Sequence, residues 1–113
     1  LELLVRVEKV LERTGRQISR ITVGTVEINL NEHQVTRDGQ EVSLKPLEYD
    51  LLVLLAKNKN MAFTREQLLN QVWGSDYLGE TRTVDVHIGQ LRKKLELFDV
   101  IKTIPKIGYR LED

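Results

Sequence analysis

The apolar positions of the chain change period several times, and each change marks an element. In Leu1–Arg13 they fall at Leu3, Val7, Val10 and Leu11, the i, i+4, i+7, i+8 spacing of an amphipathic helix. Thr14-Gly15-Arg16-Gln17 ends it, with Gly15 suited to the position after the cap, and a linker follows to Arg20. From Ile21 to Leu44 the period drops to two. Val26, Ile28 and Leu30 form a clean alternating run, whereas Thr22–Thr25 alternates imperfectly because Gly24 interrupts it. Asn31-Glu32 is a turn signal, His33–Arg37 a second strand, Asp38-Gly39 a strong hairpin turn, and Gln40–Leu44 a third strand. Three strands stand out. Strands this short need a helix packed on one face.

Pro46 opens the next helix, where its missing N–H costs nothing. Leu47, Leu51, Leu54 and Leu55, with Tyr49 and Leu52 beside them, mark it as the central core helix, ending near Lys57–Asn60. Thr64-Arg65-Glu66-Gln67 reads as a capping box, starting a helix through Leu68, Leu69, Val72 and Trp73. Gly74–Glu80 is a loop, and Thr83–Leu95 is a helix. Two short strands, Val100–Ile104 and Tyr109–Leu111, flank the turn Pro105–Gly108. The order implies an α+β fold: a winged helix-turn-helix with an N-terminal antiparallel sheet, a three-helix core and a C-terminal hairpin wing.

The helix Thr83–Leu95 has two distinct sides. At 3.6 residues per turn, Val84, Ile88, Leu91 and Leu95 fall within about 60° of each other, a stripe that must face a core. Val86 lies on the opposite side with Gly89, Gln90 and Lys93. A β-branched side chain can touch a thymine methyl, Gln can bond adenine bidentately, and Lys can reach phosphate, so this side suits a DNA major groove. A surface helix with one stray Val is the plainer alternative.

Composition narrows the class. With 113 residues, 41% hydrophobic and 30% charged, the chain is long enough for one compact core. No apolar run approaches a membrane span, so no membrane partner is expected, and the absence of cysteine excludes disulfides and thiolate chemistry. His33 stands without nearby Cys or His, so no metal and no cofactor are expected. There is no Gly-rich phosphate loop and no nucleophile with a base, so the chain does not read as an enzyme. The net charge is zero but unevenly spread: residues 21–81 carry −4 and residues 82–110 carry +4. That positive end is what phosphate would meet.

The runs LKPLEYDLLVLLAKNKNMAFTREQLLNQVWG, RTVDVHIGQLRKKL and IKTIPKIGYRL resemble the DNA-binding domain of OmpR/PhoB-type response regulators over Thr22–Leu111. Leu1–Arg13 resembles the last helix of the receiver that precedes such domains, so residues 1–20 are expected to be receiver tail and linker, and residues 21–113 the winged helix. The resemblance implies a cytoplasmic bacterial transcription factor in a two-component system. Its implied partners are double-stranded DNA with direct-repeat sites, bound as a head-to-tail dimer, RNA polymerase, and the receiver of the same chain. It implies four strands in the N-terminal sheet, the fourth coming from Thr22–Thr25, split from Glu27–Leu30.

By the same resemblance Val86 and Gln90 are the base-reading residues, and Trp73, Arg82, Thr83, His87 and Arg92 are backbone contacts. Lys93 and Lys106 are added to the backbone set as cations on the helix and on the wing. Ser75, Asp76, Tyr77 and Leu78 form the candidate polymerase-contact loop, for which a plain solvated connection is an equal reading. This chain departs from the pattern in three places. Gly89 and Gln90 stand where Arg is frequent, so adenine should be favoured over guanine. Pro105-Lys106 replaces the wing's usual Arg-Gly, and Lys reads a narrow minor groove less well. Lys45 replaces the Thr or Ser that ordinarily caps the Pro46 helix, a loss of about 1 kcal/mol unless another residue caps it. Asp85, at about 90° from the core stripe, is expected to pair within the protein with Arg82 or Arg92. Trp73 is more often a core residue than a contact, and His87, Lys93 and Lys94 are compatible with a solvated face. The rival function is a winged helix that binds a protein and not DNA.

Overall fold

A computed structural model describes residues 20–77 and 79–113. The expected helix over Leu1–Arg13, its linker, and Leu78 of the loop lie outside the described residues. The first strands, β1 (Arg20–Val23), β2 (Val26–Asn29), β3 (Gln34–Arg37) and β4 (Gln40–Glu41), form an antiparallel meander in that order. The fourth strand is therefore present, but over Arg20–Val23 and not Thr22–Thr25. Gly24 does not spoil an alternation; at φ +57° it makes the two-residue turn that folds β1 back, pairing Val23 with Val26 and Ile21 with Ile28. Asp38 (φ +53°) and Gly39 (φ +83°) both adopt the left-handed region that the tight β3–β4 hairpin requires. Val23, Val26, Ile28 and Val35 are buried on the sheet's inner face. β4 is shorter than the expected Gln40–Leu44. Val42 donates one more backbone bond to Val35, and the chain then leaves the sheet toward Pro46.

Helix α1 (Pro46–Lys57) covers that sheet. Its buried stripe is rotated from the expected one: Leu51, Leu52 and Leu55 are fully buried, Leu47 and Leu54 only half-buried, and Glu48 is buried with them. Strand β5 (Ala62–Thr64), which periodicity did not reveal, follows. Helix α2 (Arg65–Leu68) opens on the expected capping box: Thr64 Oγ1 accepts from Gln67 N at 3.0 Å, and Gln67 Oε1 accepts from Thr64 N at 2.8 Å. It runs into one wider π-helical turn over Leu69–Trp73, closed by Gly74 at φ +104°. Helix α3 (Arg82–Leu95) ends at Glu96, which turns left-handed and pairs with Arg37 of β3 at 2.7 Å.

Strands β6 (Ile101–Ile104) and β7 (Gly108–Leu111) form the wing, but not as a lone hairpin. β5 adds to the outer side of β7, giving a three-stranded sheet in the order β5-β7-β6. This makes Gly108 obligatory on steric grounds. A Cβ there would lie 2.0 Å from the Phe63 carbonyl oxygen. The wing is thereby anchored to the segment that leads into α2, so it has a set height relative to α3.

Candidate nucleic-acid interface

The four stripe residues of α3, Val84, Ile88, Leu91 and Leu95, are each 0% exposed. Each contributes roughly 1.5–3 kcal/mol by burial. On the opposite side Val86 is 53% exposed, and Arg82, Gly89, Gln90 and Lys93 are exposed around it. Val86 thus costs apolar exposure without contributing to the core.

The neighbouring side chains of α3 are held rather than loose. His87 Nδ1 donates to the Thr83 carbonyl at 2.8 Å, and its ring meets Trp73 edge-on with centroids 4.9 Å apart. A bond from Nε2 to phosphate then needs the doubly protonated ring. Trp73 is half-buried at the end of the π-helical turn that follows α2, so it supports His87 as much as it faces outward. Thr83 is half-buried on the first turn. Arg92 Nε and Nη2 donate to the Ile101 carbonyl at 3.1 and 2.7 Å, and Nη2 also to Thr103 Oγ1 at 2.8 Å. Arg92 therefore straps β6 of the wing to α3.

Asp85 does not pair with Arg82 or Arg92 as expected. It accepts from Arg65 Nε at 2.7 Å and from the Tyr109 hydroxyl at 2.5 Å. From α3 its side chain reaches into the junction where α2 and β7 meet. Arg65 and Arg92 both lie close to the Tyr109 ring, at 5.3 and 5.5 Å from its centroid. Burial pushes the Asp85 carboxyl up, but the Tyr109 hydroxyl and the Arg65 guanidinium outweigh it and hold it below its ordinary value. Burial and the adjacent carboxylate raise the Tyr109 phenol.

A depression of about 340 Å³ lies beside Val86, lined by Lys45, Glu48, Val86, His87, Gln90 and Lys94. Glu48 is 1% exposed at its floor. Lys94 Nζ donates to Glu48 Oε1 at 2.8 Å, and the Lys45 backbone N–H donates to the same oxygen at 3.0 Å. Burial alone would raise the Glu48 carboxyl, yet these donors hold it low. Glu48 is also the partial replacement for the cap that Lys45 cannot provide. It satisfies the N-cap N–H, while an ammonium has no acceptor to offer the helix's own N–H groups. At the wing tip, Lys106 is exposed at φ +67° beside exposed Ile107. In the α2–α3 loop, Ser75, Asp76 and Tyr77 are exposed, Tyr77 by 40%. Among the described residues no three His, Cys, Asp or Glu side chains gather into a metal site, and no helix is long and apolar enough to cross a membrane.

Residues 39–111 match the family described as transcriptional regulatory protein, C terminal. The chain belongs to that family. It is a winged-helix DNA-binding domain of the OmpR/PhoB response-regulator type. It is similar to the DNA-binding response regulator MtrA of Mycolicibacterium smegmatis, with 42% identity over 96% of this chain and 50% of that protein. The chain thus spans about half the length of the curated relatives it matches. Its fold is similar to the Thermotoga maritima response regulator DrrB, an OmpR/PhoB homologue (TM-score 0.79, 28% identity, 88% of this chain and 48% of that one). It is also similar to the Klebsiella pneumoniae RstA DNA-binding domain solved with the RstA box (TM-score 0.72, 35% identity, 82% of this chain and 96% of that one).

Against the family's architecture, Val86, Gln90, Arg82, Thr83, His87, Trp73 and Lys93 gather on or beside one face of α3. Arg92 turns to the wing, and Lys106, at the wing tip, lines a separate depression with Thr64, Arg65, Glu66 and Thr81. Glu48, Arg65 and Tyr109 entered no expectation for the site, and Lys45 entered only as a lost cap. The pairing of Glu48 with Lys94 had no local signal, because the two are 46 residues apart.

Proposed function

We propose that this domain reads a specific DNA duplex with α3 in the major groove and the β6–β7 wing at the adjacent minor groove or backbone. In the whole protein it is the effector half of a two-component response regulator that controls transcription in the bacterial cytoplasm, with residues 1–20 as the receiver's tail and residues 21–113 as the binding domain. Val86 and Gln90 face the base edges. Trp73, Arg82, Thr83, His87, Lys93 and Lys106 meet the backbone, and Arg92 acts mainly through the wing it holds. Head-to-tail pairs on direct repeats, and polymerase contact through Ser75–Tyr77 with Leu78, belong to the same reading.

The observation that carries it is the division of α3. One side is wholly buried, and the other leaves Val86 53% exposed beside Gln90 with cations at both ends of the helix. The test is duplex binding by fluorescence anisotropy, on sequences selected from random DNA, as a function of salt. Binding should weaken with a log–log slope of about −0.9 per phosphate neutralised. Val86→Asp should abolish it while the melting temperature stays near that of the wild type. A flat salt response, or no duplex binding at low salt, would favour a protein-binding module instead.

A further inference from the structure

Lys45 stands where the first turn of α1 wants an acceptor. Its backbone is extended (φ −71°, ψ 155°), the geometry in which Ser, Thr, Asp or Asn would cap the helix, and its side chain makes no cap bond. The same side chain is exposed and lines the depression shared by Val86 and Gln90. Within that depression the other cation, Lys94, is held by buried Glu48, and the two charges cancel. Lys45 has no ion-pair partner among the described residues, so it carries the net positive charge of the depression. The base-facing side of α3 is itself short of cations there: Gly89 has no side chain, Gln90 is neutral, and Arg92 is turned to the wing.

We infer that Lys45 is a DNA-backbone contact supplied by α1, placing an ammonium on the phosphate that borders the bases under Val86 and Gln90. This rests on the proposed mode of DNA binding and adds a contact from outside α3 and the wing. An ammonium is a flexible point charge that meets phosphate without base preference, so Lys45 strengthens all sites rather than choosing among them. The weakened cap is the cost of placing it there, which predicts stability and affinity effects of opposite sign.

The experiment compares the 113-residue chain with Lys45→Thr, Lys45→Ala and Lys45→Arg, measuring thermal unfolding and anisotropy binding to selected duplexes across a salt series. Lys45→Thr restores a hydroxyl cap, so its melting temperature should rise. Its affinity should fall about three- to tenfold on every duplex, and its salt slope should flatten by about 0.9. Lys45→Ala should show the same loss of affinity and slope without the gain in melting temperature. Lys45→Arg should keep the wild-type slope. If the wild type binds duplex with a steep slope and Lys45→Thr keeps both slope and affinity, this inference fails and the mode of binding stands. If the wild type binds no duplex, the mode of binding fails and takes the inference with it.

Discussion

Replacing Lys94 with Met isolates the most unusual energetic feature of the domain, a carboxylate buried under the DNA-facing helix. Glu48 is 1% exposed, and the Lys94 ammonium 2.8 Å away is its only ion-pair partner among the described residues. At an effective dielectric near 20, the attraction at that distance is about 6 kcal/mol, most of it offset by the cost of taking the carboxylate out of water. Removing one partner of a fully buried pair costs roughly 3–5 kcal/mol. Here the lysine end is partly wet and the Lys45 N–H remains, so Lys94→Met should lose about 2–3 kcal/mol at pH 7. The sign with pH follows. In the wild type Glu48 titrates below its ordinary 4.5, so it stabilises above that value. In the variant the uncompensated carboxyl moves above its ordinary value, so the penalty is largest at pH 7 and is relieved as the pH falls. Each unit of that rise corresponds to about 1.4 kcal/mol. Urea unfolding followed by circular dichroism should show the deficit at pH 5 reduced to half or less of that at pH 7. Adding Glu48→Gln should recover most of the loss, since the amide oxygen still accepts from the Lys45 N–H. A Lys94→Met variant within about 0.5 kcal/mol of wild type, or an equal deficit at both pH values, would refute the reasoning.

Other outcomes follow from the wing and the helix face. Gly108→Ala forces a Cβ onto the Phe63 carbonyl and should cost about 3 kcal/mol by urea unfolding, with faster amide exchange in β5; a loss under about 1 kcal/mol would mean the sheet yields freely. Asp85 is held below its ordinary 3.8, so its contribution is complete above that value and fades as the pH falls below it. Tyr109→Phe should therefore flatten the loss of stability below about pH 4, measured as the denaturation midpoint against pH. Gln90→Ala should change which duplexes are preferred in a binding selection. Arg92→Ala should weaken all of them about equally and also lower the melting temperature, because it releases the Ile101 carbonyl and Thr103; a change of preference with Arg92→Ala would show that Arg92 reads bases.

The two-sidedness of α3, the Asp38-Gly39 hairpin and the Thr64 capping box were legible in the chain itself. Each depends on residues within four positions of one another, where backbone geometry alone sets who faces whom. The fourth strand was faint because Gly24 interrupts its alternation, and that same glycine is the turn that creates it. What only the tertiary structure decided depends on elements far apart in sequence. β5 became a strand because β7 lies beside it, 46 residues downstream from Ala62 to Gly108. Asp85 took Arg65 and Tyr109 over its helical neighbours because α2 and β7 converge there, and Arg92 turned inward because β6 offered it a carbonyl. Local periodicity states which side of a helix is oily; only the crossing of one element over another determines which charge meets which, and so brought Lys45 and Glu48 beside Val86 and Gln90.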